Sequence, residues 1–178
     1  MSDEEDAQVH LEDYDPIWPA RFALERQRLA EVLEPWMAGP IEHVGSTAIP
    51  GLRAKPIIDI MVAVRTLEES RPAIDVLRGL RYGYFPHRAD VMHWFCKPSP
   101  EFRTHHLHLV PFRSRLWAER LLFRDYLIAH PQTARAYERL KIELATAHPN
   151  NRVAYTNGKT AFIQRITAQA KKLRVKSP

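Results

Sequence analysis

One run of residues constrains this chain more than any other. Ile57–Val64, IIDIMVAV, is apolar on both faces of a strand apart from a single acid, Asp59. Apolar character on both faces marks a central strand. A lone carboxylate inside such a strand is costly to bury unless it is paired or bound to a metal. Just upstream, Ile41–Gly45 reads as a short strand that ends in Gly45-Ser46. A Gly-Ser turn offers backbone N–H groups, a hydroxyl and close backbone approach to an anion. Residues 46–56 between the two strands are too few for a parallel crossover helix, so the pair is expected to be antiparallel. A turn that suits an anion, followed by a strand acid, points to a phosphate-and-metal site.

The rest of the chain reads as α+β. Asp15-Pro16 is a good helix start, and Phe22, Leu29, Val32, Leu33 and Trp36 continue a helical stripe to about Met37, with Gly39-Pro40 ending it. Thr66–Leu80 reads as a helix, and Tyr82–Phe85, Met92–Lys97 and Thr104–Val110 as strands, the last two paired. From Ser114 onward the pattern is helical: Ser114–Ala129, Gln132–Ala147 and about Thr160–Leu173, broken at His130-Pro131 and His148-Pro149. The expectation is a small mixed β-sheet with flanking helices and a C-terminal helical segment, forming one domain over residues 13–178. The acidic residues 1–12 are expected to be disordered.

Charge is unevenly spread. Residues 1–20 hold seven acids and no Lys or Arg, whereas residues 113–178 hold 14 Lys or Arg against four acids. A basic C-terminal half suits a polyanionic partner such as a nucleotide or, less favoured here, RNA, for which Arg113, Arg115, Arg120 and Arg124 roughly follow one helix face. No apolar run approaches the roughly 20 residues of a membrane span. One cysteine, Cys96, excludes an intrachain disulfide and a multi-cysteine zinc site. A cytoplasmic protein without membrane contact is expected.

Several residues can carry chemistry. Gly45, Ser46 and Thr47 form the turn, and Arg53 and Lys55 in the following loop can neutralise phosphate oxygens. Lys159, after Tyr155-Thr-Asn-Gly, opens the last helix and is a further anion contact. Arg103-Thr-His-His-Leu-His108 places His106 and His108 on one face of a strand. With His43 and Asp59 they make a candidate metal set, for magnesium through substrate phosphates or for a transition metal at the His/Asp cluster. Asp59, His106 and His108 are the candidate catalytic groups. The position two after Asp59, where a second metal-binding acid would share its face, holds Met61.

Longer segments carry a resemblance. YDPIWPARFALE, HVGSTAIPGLRAKPIIDI, THHLHLV, FRDYLIAHPQTARAYERLK and YTNGKTAFI together resemble the GrpB family over nearly the whole chain. That resemblance implies a nucleotidyltransferase-like α+β core, in which Gly45-Ser46 matches a phosphate-binding pair and Asp59 the first magnesium-binding acid. It leaves two expectations open: a divergent nucleotidyltransferase-like enzyme acting on a nucleotide or other phosphate-containing small molecule, or a non-catalytic nucleotide- or anion-binding module that has lost the second acid.

Overall fold

The computed structural model describes residues 8–176, so the first part of the expected disordered N-terminus, residues 1–7, lies outside the described residues. Residues 8–12 are held in place. Val9 N–H donates to Pro149 O at 2.8 Å, and Glu12 exchanges backbone hydrogen bonds with Ala54 at 2.8 and 3.0 Å. The backbone of this acidic segment is therefore tied to two distant loops.

A five-stranded mixed sheet organises the molecule. It is built from β1 (Met37–Val44), β2 (Ile58–Val64), β3 (Gly83–Phe85), β4 (His93–Pro98) and β5 (Arg103–Pro111), in the order β1-β2-β5-β4-β3. β1 and β2 are antiparallel, as their short connection requires. β2 and β5 are parallel, and β5-β4-β3 continue antiparallel. β2 sits between β1 and β5, and every residue of it except Asp59 is buried.

One face of the sheet is covered by α1 (Trp18–Leu33) and the short α2 (Ala73–Arg78). Trp18, Leu29 and Leu33 pack there on Ile58, Ile60, Val62, Leu107 and Leu109. The other face carries Val44, Met61, Ala63 and Val110 beneath Trp117 of α3 (Arg115–Ala129). The remaining helices, α4 (Pro131–Ala147), α5 (Arg152–Gly158) and α6 (Thr160–Lys176), form the C-terminal segment. Tyr137 of α4 and Ile166 and Ala170 of α6 share a core with Tyr126 and Leu127 of α3 and with Ile49 and Leu52 of the β1–β2 loop.

Three element boundaries differ from expectation. The first helix stops at Leu33, and Gly39-Pro40 lies inside β1 rather than between elements. Pro40 is tolerated because β1 is an edge strand with a register irregularity between Met37 and Ile41. The helix expected over 66–80 shrinks to Ala73–Arg78. Ahead of Pro72, the Thr66 hydroxyl accepts from Glu69 N–H, and the Ser70 hydroxyl donates to Thr66 O, which gives the backbone an alternative to helix. Tyr155–Lys159 closes α5 instead of opening the last helix. Asn151 caps α5, its side chain accepting from Ala154 N–H at 2.8 Å.

Beneath α1 the apolar face encloses one charged contact. The carboxylate of Glu25, 2 % exposed, accepts from Tyr82 OH at 2.9 Å and from Lys97 Nζ, with Arg28 at 3.6 Å. Burial acts to raise the Glu25 carboxyl, but Lys97 and Tyr82 outweigh it and hold it below its ordinary value. Removing one partner of such a pair strands the other charge. Glu25→Ala is therefore expected to cost roughly 3–5 kcal/mol, read as the loss of unfolding free energy in urea. A loss below about 1 kcal/mol would show that Lys97 finds water instead.

Candidate functional site

The parallel register of β2 and β5 pairs Asp59 with His106 and Met61 with His108. All four side chains therefore share the face that α3 covers. His106 Nδ1 lies 2.9 Å from Asp59 Oδ1, and His108 Nε2 lies 3.7 Å from the same oxygen, beyond hydrogen-bond length. Because an ionised carboxylate only accepts, Nδ1 of His106 carries the proton and Nε2 holds a lone pair. That Nε2 is buried and has no hydrogen-bond partner, although the His106 side chain as a whole is 15 % exposed. Burial acts to raise Asp59, yet its contacts with His106 and His108 hold it well below the usual carboxylate range.

Gly45 makes this placement possible. Its φ is +74°, and a Cβ built there would meet Asp59 Oδ2 and lie 2.9 Å from Asp59 Cγ. Here the absence of a side chain serves both the backbone conformation and the seat of the carboxylate. Ser46 begins the turn that follows, its hydroxyl beside Tyr137.

Cations gather around this acid from four parts of the chain. Lys55 of the β1–β2 loop and Lys159 after α5 flank the same Tyr155 ring, with Nζ 5.3 and 4.2 Å from its centroid. Burial, and then the charges of Lys159 and Arg152, push the Lys55 ammonium down to about 7, while Asp59 and Arg103 act with smaller effect in opposite directions. Burial pushes Lys159 down to about 8, opposed by Asp59. Arg103 stacks over Trp94 at 5.4 Å, and Trp94 in turn lies 5.3 Å from the His106 ring. Arg120 of α3 is lowered by burial and drawn back by Asp59. Sequence reasoning missed Arg103, Arg120 and Arg152 as members of this cluster. Arg103 stands next to the histidines of the THHLHLV strand, and Arg120 is one of the arginines expected along a helix face for RNA.

Three expected residues are placed elsewhere. His43 pairs in register with Ile60, which turns it to the opposite face of the sheet from Asp59, where it stacks on Phe22 at 4.8 Å. The Thr47 hydroxyl donates to Ile57 O at 3.1 Å, so it accepts from His43 Nε2, 3.0 Å away, and is committed inside the fold. The Arg53 guanidinium pairs with Asp13, Nε to Oδ1 at 2.8 Å, at the surface. Nor do the α3 arginines form a common basic face. Arg115 pairs with Glu119, Arg124 with Glu42 and Asp125, and Arg120 is held by burial where the charge of Asp59 acts on it.

Comparison with known proteins decides the relationship. The family model described as GrpB protein matches residues 8–169. The chain belongs to the GrpB family. It is 40% identical over 177 residues to a UPF0157 protein of Pseudomonas aeruginosa, covering 95% of this chain and 70% of that one. It is 34% identical to the glutamate-rich protein GrpB of Alkalihalophilus pseudofirmus, over 89% of this chain and 94% of that one. The crystal structure of the conserved protein GrpB from Enterococcus faecalis superposes with a TM-score of 0.86 at 34% identity, covering 94% of this chain and all of that one.

In this GrpB chain the donor set does not fit a resident metal ion. Among the described residues no three His, Cys, Asp or Glu side chains group to hold one. His43 is on the wrong face, His106 spends Nδ1 on the only carboxylate, and Met61, fully buried, contributes no oxygen. The neighbouring ammonium and guanidinium groups oppose a further cation. Among the described residues, no helix is long and apolar enough to cross a membrane.

Two outcomes are expected of this site. Gly45→Ala should strain the turn and press on Asp59, lowering unfolding free energy by roughly 1–3 kcal/mol. An unchanged melting temperature would mean that the carboxylate has room to move. The second concerns pH. Burial lowers His43 and His105 to about 4 and His108 to about 3 from an ordinary 6.5. Their unfolded counterparts take up protons first, so the stability of the neutral native histidines is complete above about 6.5 and is lost as pH falls toward about 4. The urea midpoint should drop across that window, and less steeply in His43→Gln.

Proposed function

We propose that the cleft over Asp59 binds a phosphate-containing small molecule, with a nucleotide as its class, and that the protein is a divergent nucleotidyltransferase-like enzyme acting on it. One observation carries this reading: Lys55, Arg120 and Lys159, from three separate segments, each feel the charge of Asp59. Cations held this close repel one another, and a multiply charged phosphate relieves that repulsion. The positions of Gly45-Ser46 and Asp59, matching the phosphate-binding pair and first acid of nucleotidyltransferases, support the nucleotide class. A divalent ion, magnesium above all, belongs to this reading as a companion of the ligand's phosphates.

The packing of Met61 favours a second reading, a nucleotide- or anion-binding module without turnover. Met61 is embedded among Val44, Ala63, Val110 and Trp117, so its position is built for packing rather than for a ligand.

Calorimetric titration separates these ideas from their absence. ATP should bind more tightly than adenosine, and Lys55→Ala and Lys159→Ala should each weaken ATP by about tenfold, near 1.4 kcal/mol. Equal affinity for ATP and adenosine would end both readings. ATP affinity indifferent to EDTA, with no product formed, would leave the binding module.

A further inference from the structure

We infer that His106 is a covalent phosphoryl acceptor, its Nε2 taking a phosphoryl group from a phosphoanhydride such as a nucleoside triphosphate or from an acyl phosphate. The inference rests on the reading of the cleft as a phosphate site.

Three observations carry it. First, the ring is oriented like a working nucleophile. Asp59 Oδ1 holds Nδ1–H at 2.9 Å, which places the lone pair on Nε2. Second, Nε2 is a buried polar atom without a hydrogen-bond partner, in a side chain that keeps 15 % exposure. Buried polar groups are seldom left so, and a catalytic role is one of the reasons that such an exception persists. Of the buried imidazole nitrogens so left among the described residues, that of His106 alone belongs to a ring whose other nitrogen is held by a carboxylate. Third, the surroundings favour a phosphoryl group over a proton on that nitrogen. Lys55 and Arg103 both act on the His106 ring. They repel an imidazolium, which disfavours a general base that must carry a proton. They attract the oxygens of a phosphoryl group.

The step balances. The Nε2 lone pair forms an N–P bond while the P–O bond to the leaving group breaks, and its electron pair departs on the leaving oxygen. Positive charge developing on the ring lies against Asp59, and negative charge on the phosphoryl oxygens lies toward Lys55 and Arg103. No proton transfer to Nε2 is needed. Burial and the two cations keep the ring neutral, Asp59 opposing them, so the lone pair is available at neutral pH.

The experiment incubates the full chain with ATP and, separately, with acetyl phosphate, each with and without magnesium. The readouts are intact mass, acid and base stability of any label, and peptide mapping, with calorimetric ATP affinity measured on the same samples. The expected result is one acid-labile, base-stable phosphoryl group per chain, mapped to His106. It should be absent in folded His106→Gln and slowed by about tenfold or more in Asp59→Asn. ATP binding without any label on His106 overturns the inference and leaves the ligand reading standing. Label at another residue, or product formation that needs His106 without a covalent species, overturns it as well. Failure of both ATP binding and labelling removes the inference and the reading beneath it.

Discussion

Everything in the site depends on one contact, the carboxylate of Asp59 against the imidazole of His106 across two parallel strands. An ionised acid in the central layer of a sheet is tolerable only if its lone pairs are met. The pairing of β2 with β5 meets one of them, and the bare Cα of Gly45 leaves space for the other oxygen. Shift the register by one residue and His106 turns to the α1 face, leaving the acid against Leu107. The antiparallel β1–β2 pair is constrained at the same point, because Val44 faces Asp59 and Gly45 must follow at once.

The C-terminal helices then decide what kind of pocket surrounds that contact. The β1–β2 loop would be free to swing if only the sheet held it. Glu138 of α4 accepts from Arg53 N–H at 2.6 Å, and Lys141, 1 % exposed, donates to Arg53 O. Ile49 and Leu52 are packed among Tyr126, Tyr137 and Ile166. This clamp delivers Lys55 to the Tyr155 ring from one side while the α5–α6 junction delivers Lys159 from the other. Residues 104 positions apart thereby act on one volume, and Arg103 and Arg152 join from two further segments. The sheet supplies Asp59 and, at the start of β5, Arg103, while the clamped loop and the C-terminal helices supply the other cations.

Much of this was legible in the sequence. The two-faced apolar run around Asp59 named β2 as central, and the Gly-Ser turn was tied to that acid because a strand carboxylate and a flexible turn make sense together. The short connection implied the antiparallel pair. Less legible were features that depend on partners distant in sequence. Strand parity put His43 on Gly45's face beside Asp59, but β1 ends at Val44 and Gly45 turns toward Asp59 with φ +74°, while His43, opposite Ile60, faces the other way. Arg53 looked like a phosphate ligand by its place in the loop, and an acid 40 residues upstream claims it. The short helix before β3 was overestimated because the Thr66 and Ser70 hydroxyls compete with the backbone in a way that apolar periodicity does not register. The cation cluster was half visible, since Lys55 and Lys159 stand in motifs, while Arg120 and Arg152 acquire their place only through the packing of α3 and α5.

Met61, two positions after Asp59 on the same face, sets the electrostatics of this face. In a two-carboxylate site a dication is the natural counterion, and it is the metal that gathers the phosphates. Here Met61 removes one negative charge and fills a hydrophobic position under Trp117. The remaining acid is committed to an imidazole, and the surrounding ammonium and guanidinium groups contribute the positive charge that a metal would otherwise bring. Those groups are fixed by the fold and need no ion to assemble them. Under the proposed reading, a phosphate at this site would meet side-chain cations in place of a metal, beside an imidazole whose Nδ1 is held by Asp59. The inferred attack of His106 Nε2 on phosphorus follows from the same balance, because cations that attract a phosphoryl group resist a proton in its place.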